Sequence, residues 1–331
     1  MKHMTARQWL GIVVLCVACL DAHAEWVKRV TDGIMGTRIV VELWSEDKTA
    51  GDAAIDAVLA EMRHIDESMS TYKPTSEVSQ VNAHAADGAM PISKELFDLL
   101  VTAKEYSRIT DGAFDITYAS VGYLYDFRKH VRPDEAQIEK ALPAVNYEHL
   151  ILDEKGHTVR FTQKGVRIDL GGIAKGYSVD CGIEVLQKRG FTRAFVSAGG
   201  DSRIIGDRFG KPWMVGIRDP RAGPGTVITR IPLTDAAMST SGDYERFFEE
   251  NGVRFHHIID PHTGHSASKV RSATIIGPRA IRTDGLSKTA FVLGPEKAME
   301  IYNRIEDIDA IIVKLDGSVI YSKGLEPLPA K

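Results

Sequence analysis

Cysteine is scarce in this chain: three among 331 residues, with Cys16 and Cys19 close together near the start. If that first segment is removed on export, Cys181 stands alone and no disulfide can form within the chain, so stability must come from a packed core. Basic runs are missing too. The 41 Lys and Arg are outnumbered by 45 Asp and Glu, which argues against a nucleic-acid partner. No repeat at a period of roughly 20 to 50 residues is visible, and no long linker marks a boundary. Length alone allows one large domain or two intimately joined ones, and without a linker the chain reads as one compact unit.

What is present begins with a leader. Lys2, His3 and Arg7 precede the apolar run Trp9 to Leu20, and Asp21-Ala22-His23-Ala24 closes it. A basic start, an apolar stretch too short to span a bilayer comfortably and an Ala-x-Ala boundary describe a secretory signal cut after Ala24. Residues 1–24 are thus expected to be removed, leaving 25–331. Removing Lys2, Arg7 and Asp21 takes the 41 basic and 45 acidic residues to 39 and 44, a net charge of −5. Cys16-Val17-Ala18-Cys19 also resembles a lipoprotein cleavage box with Cys where Leu is usual. Membrane contact is expected only if Cys19 is acylated.

Thr37 to Trp44 is β-branched and reads as a strand, and Thr49 to Ser70 carries Ile55, Val58, Leu59, Met62, Ile65 and Met69 at helical spacing. Ser70 to Glu77 is turn-rich. Ile92 to Arg108 is again helical, Pro133 to Leu142 a short helix, and Leu150 to Asp169 two or three strands. Ile173 to Lys188 is a helix opened by a glycine turn, and Thr192 to Ser197 a strand. The chain stays strand-rich to Ile276, then gives helices near Leu286 to Val292 and Pro295 to Ile305, and strands at Ala310 to Lys314 and Ser318 to Tyr321. This alternation predicts an α+β class, with helices covering mixed or antiparallel sheets.

Three segments carry candidate chemistry. Asp169-Leu170-Gly171-Gly172 turns into a helix whose first amides are free to bind a ligand, or it is simply a structural turn. His256 to His265 holds four histidines. On a strand His256 and His257 point to opposite faces, so one zinc ion cannot take both. Taken alone, His257 reads as a histidine that caps the turn. Thr283-Asp284-Gly285-Leu286-Ser287 reads as a helix start with one carboxylate and hydroxyls, a phosphate or metal site. Asp284, Ser287 and residue 288 share one face by spacing, but residue 288 is Lys, which cannot coordinate a cation while protonated. Met35, Tyr72 and Ala113-Phe114-Asp115 taken alone are ordinary core and turn residues.

Taken in order, Gly33-Ile34-Met35-Gly36-Thr37, Ser70-Thr71-Tyr72, Ala113-Phe114-Asp115, Arg167 to Gly176, His257-Ile258-Ile259-Asp260-Pro261-His262-Thr263-Gly264 and Thr283 to Lys288 resemble the ApbE family, the FAD:protein FMN transferases. The resemblance implies an ApbE-type, tunnelling-fold-like architecture. It implies FAD as substrate, bound by Met35, Tyr72, Ala113, Phe114, Asp115, Asp169, Lys175 and the Ile259 backbone. It further implies Mg²⁺ held by Gly172, Asp284 and Ser287, weakened here by Lys288, with His257 or Asp284 removing a proton. The implied reaction moves FMN onto a Ser or Thr hydroxyl and releases AMP. The implied partner is a periplasmic flavin-bearing subunit of a membrane electron-transport complex. An FAD pyrophosphatase yielding FMN and AMP, and a non-catalytic FAD-binding protein, are the alternatives.

Overall fold

The computed structural model describes residues 24–223 and 225–325. The expected leader lies outside them except for Ala24, as do Cys16 and Cys19. The frame is an eight-stranded sheet: β1 (Glu25–Ile34), β2 (Thr37–Ser45), β3 (Ala194–Ala198), β4 (Asp201–Ile205), β5 (Ala237–Gly242), β6 (Val270–Gly277), β7 (Asp309–Lys314) and β8 (Val319–Tyr321). Spatial order follows chain order, and every neighbouring pair is antiparallel. Helices and smaller hairpins are insertions in this meander.

Strand alternation divides the core between the two faces of the sheet. Ile205, Ala237, Ile275 and Ile312 join the helix-side clusters, while their chain neighbours Ile204, Met238, Ile276 and Ile311 pack on the other side. That second face is covered by the hairpin Trp213–Arg218 and Val227–Leu233, through Trp213, Ile217, Ile231 and Leu233. Successive side chains of a strand point opposite ways, so runs such as Ile275-Ile276 feed both layers.

The first helix, α1 (Lys48–Met69), starts where Asp47 caps the amides of Thr49 and Ala50 at 2.8 and 3.3 Å. All six apolar positions expected to face inward are buried. Its first half packs on the sheet. Ile65 and Met69 at its far end reach a second core with α2 (Lys94–Ile109) and the small sheet made by Met90–Pro91, Thr158–Phe161 and Leu150–Asp153. The ten-residue strand β1 and the helix Glu77–His84 had no separate expectation. Val27 and Ile34 are the only buried apolar side chains in β1, which therefore lacks a clear alternation.

Two helices frame the site: α3 (Ala174–Lys188) and α4 (Ala280–Leu286). The expected helix over Leu286 to Val292 is in fact divided, α4 ending at Leu286 and a short helix running Thr289–Leu293. Asp284 is consequently in the last turn of α4, not at a helix start. The first-turn amides of α4, Ala280 and Ile281, both donate to Asp180 at 3.0 Å, so an internal carboxylate fills that anion position. Arg203 and Arg279 in turn pair with Asp180.

Candidate active site

Gly176 brings α3 and α4 into contact. A Cβ there would lie 2.3 Å from the Ala280 carbonyl oxygen and 2.7 Å from the Asp284 Cβ, so glycine is required for the approach. The contact lets the Gly176 amide donate to Asp284 Oδ2 at 3.0 Å. On the other side, β5 presents Ser239 and Ser241 two residues apart on one face. They bond the hydroxyls of Thr283 at 2.8 Å and Ser287 at 2.7 Å, fastening α4 to the sheet.

Around Asp284 lies a buried cluster of two carboxylates and two ammonium groups. Lys175 pairs with Asp201 and stands 3.6 Å from Asp284 Oδ2. Lys288 donates to the Gly172 carbonyl at 3.0 Å, to the Asp284 carbonyl at 2.8 Å and to Asp284 Oδ1. Burial works to raise the Asp284 carboxyl, but Lys175 and Lys288 together outweigh it and hold it below the usual carboxylate range. Asp201 moves the other way: burial and the Asp284 charge raise it against the two lysines. Burial lowers Lys175, yet the facing Asp201 and Asp284 leave it above an ordinary lysine. Lys288 is drawn below an ordinary lysine, by burial first and then by Lys175, against the pull of Asp284 and Asp201.

Several expected roles change on this geometry. The Ser287 hydroxyl is committed to Ser241 and to the Asp284 carbonyl at 2.8 Å, and Lys288 takes the Gly172 and Asp284 oxygens expected to hold a metal. Both oxygens of Asp284 are engaged and its ionised form is favoured, which suits a residue that positions lysines and not one that collects a proton. Asp115 is buried, with Oδ1 accepting from the Thr117 amide and hydroxyl and Oδ2 from the Tyr147 amide. That pattern fixes its loop and leaves the carboxylate little freedom to meet a cofactor.

His257 follows the strand Val253–His256. It feels the charges of Lys175, Lys288 and Arg246. Burial first, then these neighbours and His256, push it down to about 3, well below the near-neutral value expected of a base. His256 packs edge-on against Phe291, with burial pulling it to about 4. His262 bonds Asp260 and reaches toward Gly112, while His265 faces Glu135. The four histidines thus serve four separate neighbourhoods.

The remaining segments close the rim. Asp169 accepts from the Gly171 amide at 2.7 Å, the Thr71 hydroxyl at 2.8 Å and the Tyr118 hydroxyl at 3.2 Å, which ties the glycine turn to the Ser70 to Tyr72 loop. Tyr72 itself is 84% exposed. Met35 and Gly36 form the β1–β2 turn with φ of 53° and 65°, and Met35 packs partly against both neighbouring cores. Phe114 and Ala113 are buried, the Phe114 ring lying 3.3 Å from a Cβ placed on Gly172. Ile259 is buried and bridges to Ser266.

Two residues had no part in the expected site. Asp201 follows the Ala198-Gly199-Gly200 turn, whose glycines were the available signal. Arg246 carried none; its guanidinium lies by Gly36 and close enough to act on His257 and Tyr118. Among the described residues it has no carboxylate partner.

The ApbE family profile matches residues 35–312. The chain is 31% identical over 322 residues to a protein of Vibrio cholerae named FAD:protein FMN transferase, covering 94% of this chain and 95% of that one. A Haemophilus influenzae protein of the same name is 32% identical, with 94% of each covered. Among solved structures, the ApbE protein of Thermotoga maritima superposes with a TM-score of 0.83 at 35% identity, covering 90% of this chain and 97% of that one. The flavin transferase ApbE of Vibrio cholerae gives 0.79 at 29% identity, covering 91% and 98%. The antiparallel α+β architecture is therefore the one expected, and the chain belongs to the ApbE family.

Proposed function

We propose that this chain transfers the FMN half of FAD to a Ser or Thr hydroxyl of an acceptor protein and releases AMP. The observation that carries the reading is the convergence of separated segments on one charged cluster: Lys288 on the Gly172 carbonyl and Asp284, Lys175 beside Asp284, and a buried His257 that feels both lysines and Arg246. Family membership supplies the donor: the relatives are named for FAD and FMN.

The chemistry needs an anion bound, an oxygen aligned and a proton removed. Arg246, which has no carboxylate partner among the described residues, supplies positive potential for the pyrophosphate beside the carboxylate-paired Lys175 and Lys288, and the exposed ring of Tyr72 with the thioether of Met35 offers soft surface to a flat heteroaromatic ring. The acceptor oxygen attacks the phosphorus on the riboflavin side, and the bond to the bridging oxygen breaks so that AMP leaves with the electron pair. The acceptor proton passes to His257. Its imidazole is neutral in the free protein and gains basicity when the anionic pyrophosphate offsets the surrounding cations.

Mg²⁺ is the further group that the family resemblance implies, as a Lewis acid at the phosphate. The residues here do not fit it. An ammonium group holds the Gly172 and Asp284 oxygens, and the Ser287 hydroxyl is engaged elsewhere. No step above passes through a metal.

The leader-like start supports export, with residues 1–24 removed and 25–331 acting in the periplasm on a flavin-bearing subunit of a membrane electron-transport complex. The test is to incubate the purified chain with FAD and candidate periplasmic flavoprotein subunits. Covalent flavin on the denatured acceptor, together with AMP, is the expected result. FMN and AMP with unmodified acceptor would identify a pyrophosphatase, and unchanged FAD a binding protein; either overturns the proposal.

A further inference from the structure

The Lys288 ammonium has three protons and three oxygen acceptors: the Gly172 carbonyl at 3.0 Å, the Asp284 carbonyl at 2.8 Å and Asp284 Oδ1. Its hydrogen-bonding capacity is filled, which favours keeping a buried charge in place. The side chain is only 17% exposed, and its Cε lies 3.5 Å from a Cβ placed on Gly172, so stem and head are both packed in the site. The position follows from the chain: Lys288 is four residues beyond Asp284, one helical turn along the same face.

The charges also balance. Lys175 and Lys288 oppose Asp201 and Asp284, and all four groups are in mutual electrostatic contact. A divalent ion at the Gly172 and Asp284 oxygens would either meet the ammonium head-on or have to expel it. It would also find the Ser287 hydroxyl already bonded to Ser241 and to the Asp284 carbonyl.

We infer that the Lys288 ammonium is the built-in occupant of the cation position between Gly172 and Asp284, and that this chain binds and turns over FAD without a divalent metal. The turnover half of this inference rests on the transferase reading; the metal-binding half does not. A fixed monovalent cation supplies part of the charge stabilisation that a divalent ion would give, and Lys175 and Arg246 add to it.

The test is a titration of the purified chain with Mn²⁺ followed by electron paramagnetic resonance, alone and with FAD, beside calorimetry with Mg²⁺. No uptake beyond that of free FAD is expected, and FAD consumption should be the same in EDTA as in Mg²⁺. Lys288→Thr should gain one-to-one Mn²⁺ binding and become sensitive to EDTA. Saturable Mn²⁺ binding by the wild-type chain would overturn the inference, as would a loss of turnover of about tenfold or more in EDTA. A folded Lys288→Thr chain as blind to Mn²⁺ as the wild type would overturn the assignment of Lys288 as the occupant. If Lys288→Thr does not fold, the wild-type titration alone decides. A wild-type chain that consumes no FAD under any condition would count against the transferase reading and leave the Mn²⁺ result to decide the metal question.

Discussion

The Gly176 amide donates to Asp284 Oδ2 at 3.0 Å, across a helix contact too close for any side chain at position 176. Gly176→Ala should force α3 and α4 apart, costing about 1–3 kcal/mol as overpacking does. Because the same shift disturbs Asp284, FAD affinity should fall together with the midpoint of thermal unfolding. An alanine variant that melts with the wild type would mean that the contact yields without cost.

Acid should destabilise the protein through His256 and His257. Both are depressed from 6.5, to about 4 and about 3, so between those values and 6.5 the unfolded chain binds more protons than the folded one. The stability they confer is complete above 6.5 and is lost progressively as pH falls from 6.5 to about 4 for His256 and to about 3 for His257, on the order of several kcal/mol in all. Urea midpoints measured across this range should decline; a flat profile would place the two imidazoles in contact with water. Bound FAD should raise His257, and proton resonance titration of its ring with and without FAD would show the shift.

Tyr72 is exposed in the free chain, so Tyr72→Ala should leave stability within about 0.5 kcal/mol of wild type. FAD binding should nonetheless weaken by about 1 kcal/mol, roughly fivefold, if the ring stacks on the isoalloxazine. Fluorescence titration giving equal affinities would remove Tyr72 from the flavin site.

Arg246 has no carboxylate to neutralise it among the described residues, and it lies near both Gly36 and His257. Arg246→Ala should reduce FAD affinity about tenfold, the scale of a hydrogen bond to a charged group. The loss should shrink at high salt, since screening already weakens the wild-type contact. Affinity indifferent to the substitution at both salt concentrations would put the guanidinium outside the pyrophosphate's reach.

Local pattern revealed much of the frame. The apolar stripe of α1 and the strand Thr37 to Trp44 were legible because periodicity directly encodes which face is buried. Strand β1 was not, since its inward positions are too few to make an alternation. The stretch from Ala280 to Leu293 hid a helix break at Ser287 and Lys288 that apolar content alone did not mark. The ordered motifs located the site region. They could not say that Asp284 ends a helix, that Asp180 fills the amides at that helix's start, or that Ser287 turns toward Ser241.

Residue type and spacing along the chain are enough to specify the α+β class, the family and the segments that build the site. Tertiary structure alone decided which charges face one another. Lys175 meets Asp201 across 26 residues and Lys288 meets the Gly172 carbonyl across 116, and Arg246 reaches the surroundings of His257 from a loop with no motif. The basicity of His257 and the occupant of the cation position follow from burial and from the distances between groups remote in sequence, and neither quantity exists until the chain has folded.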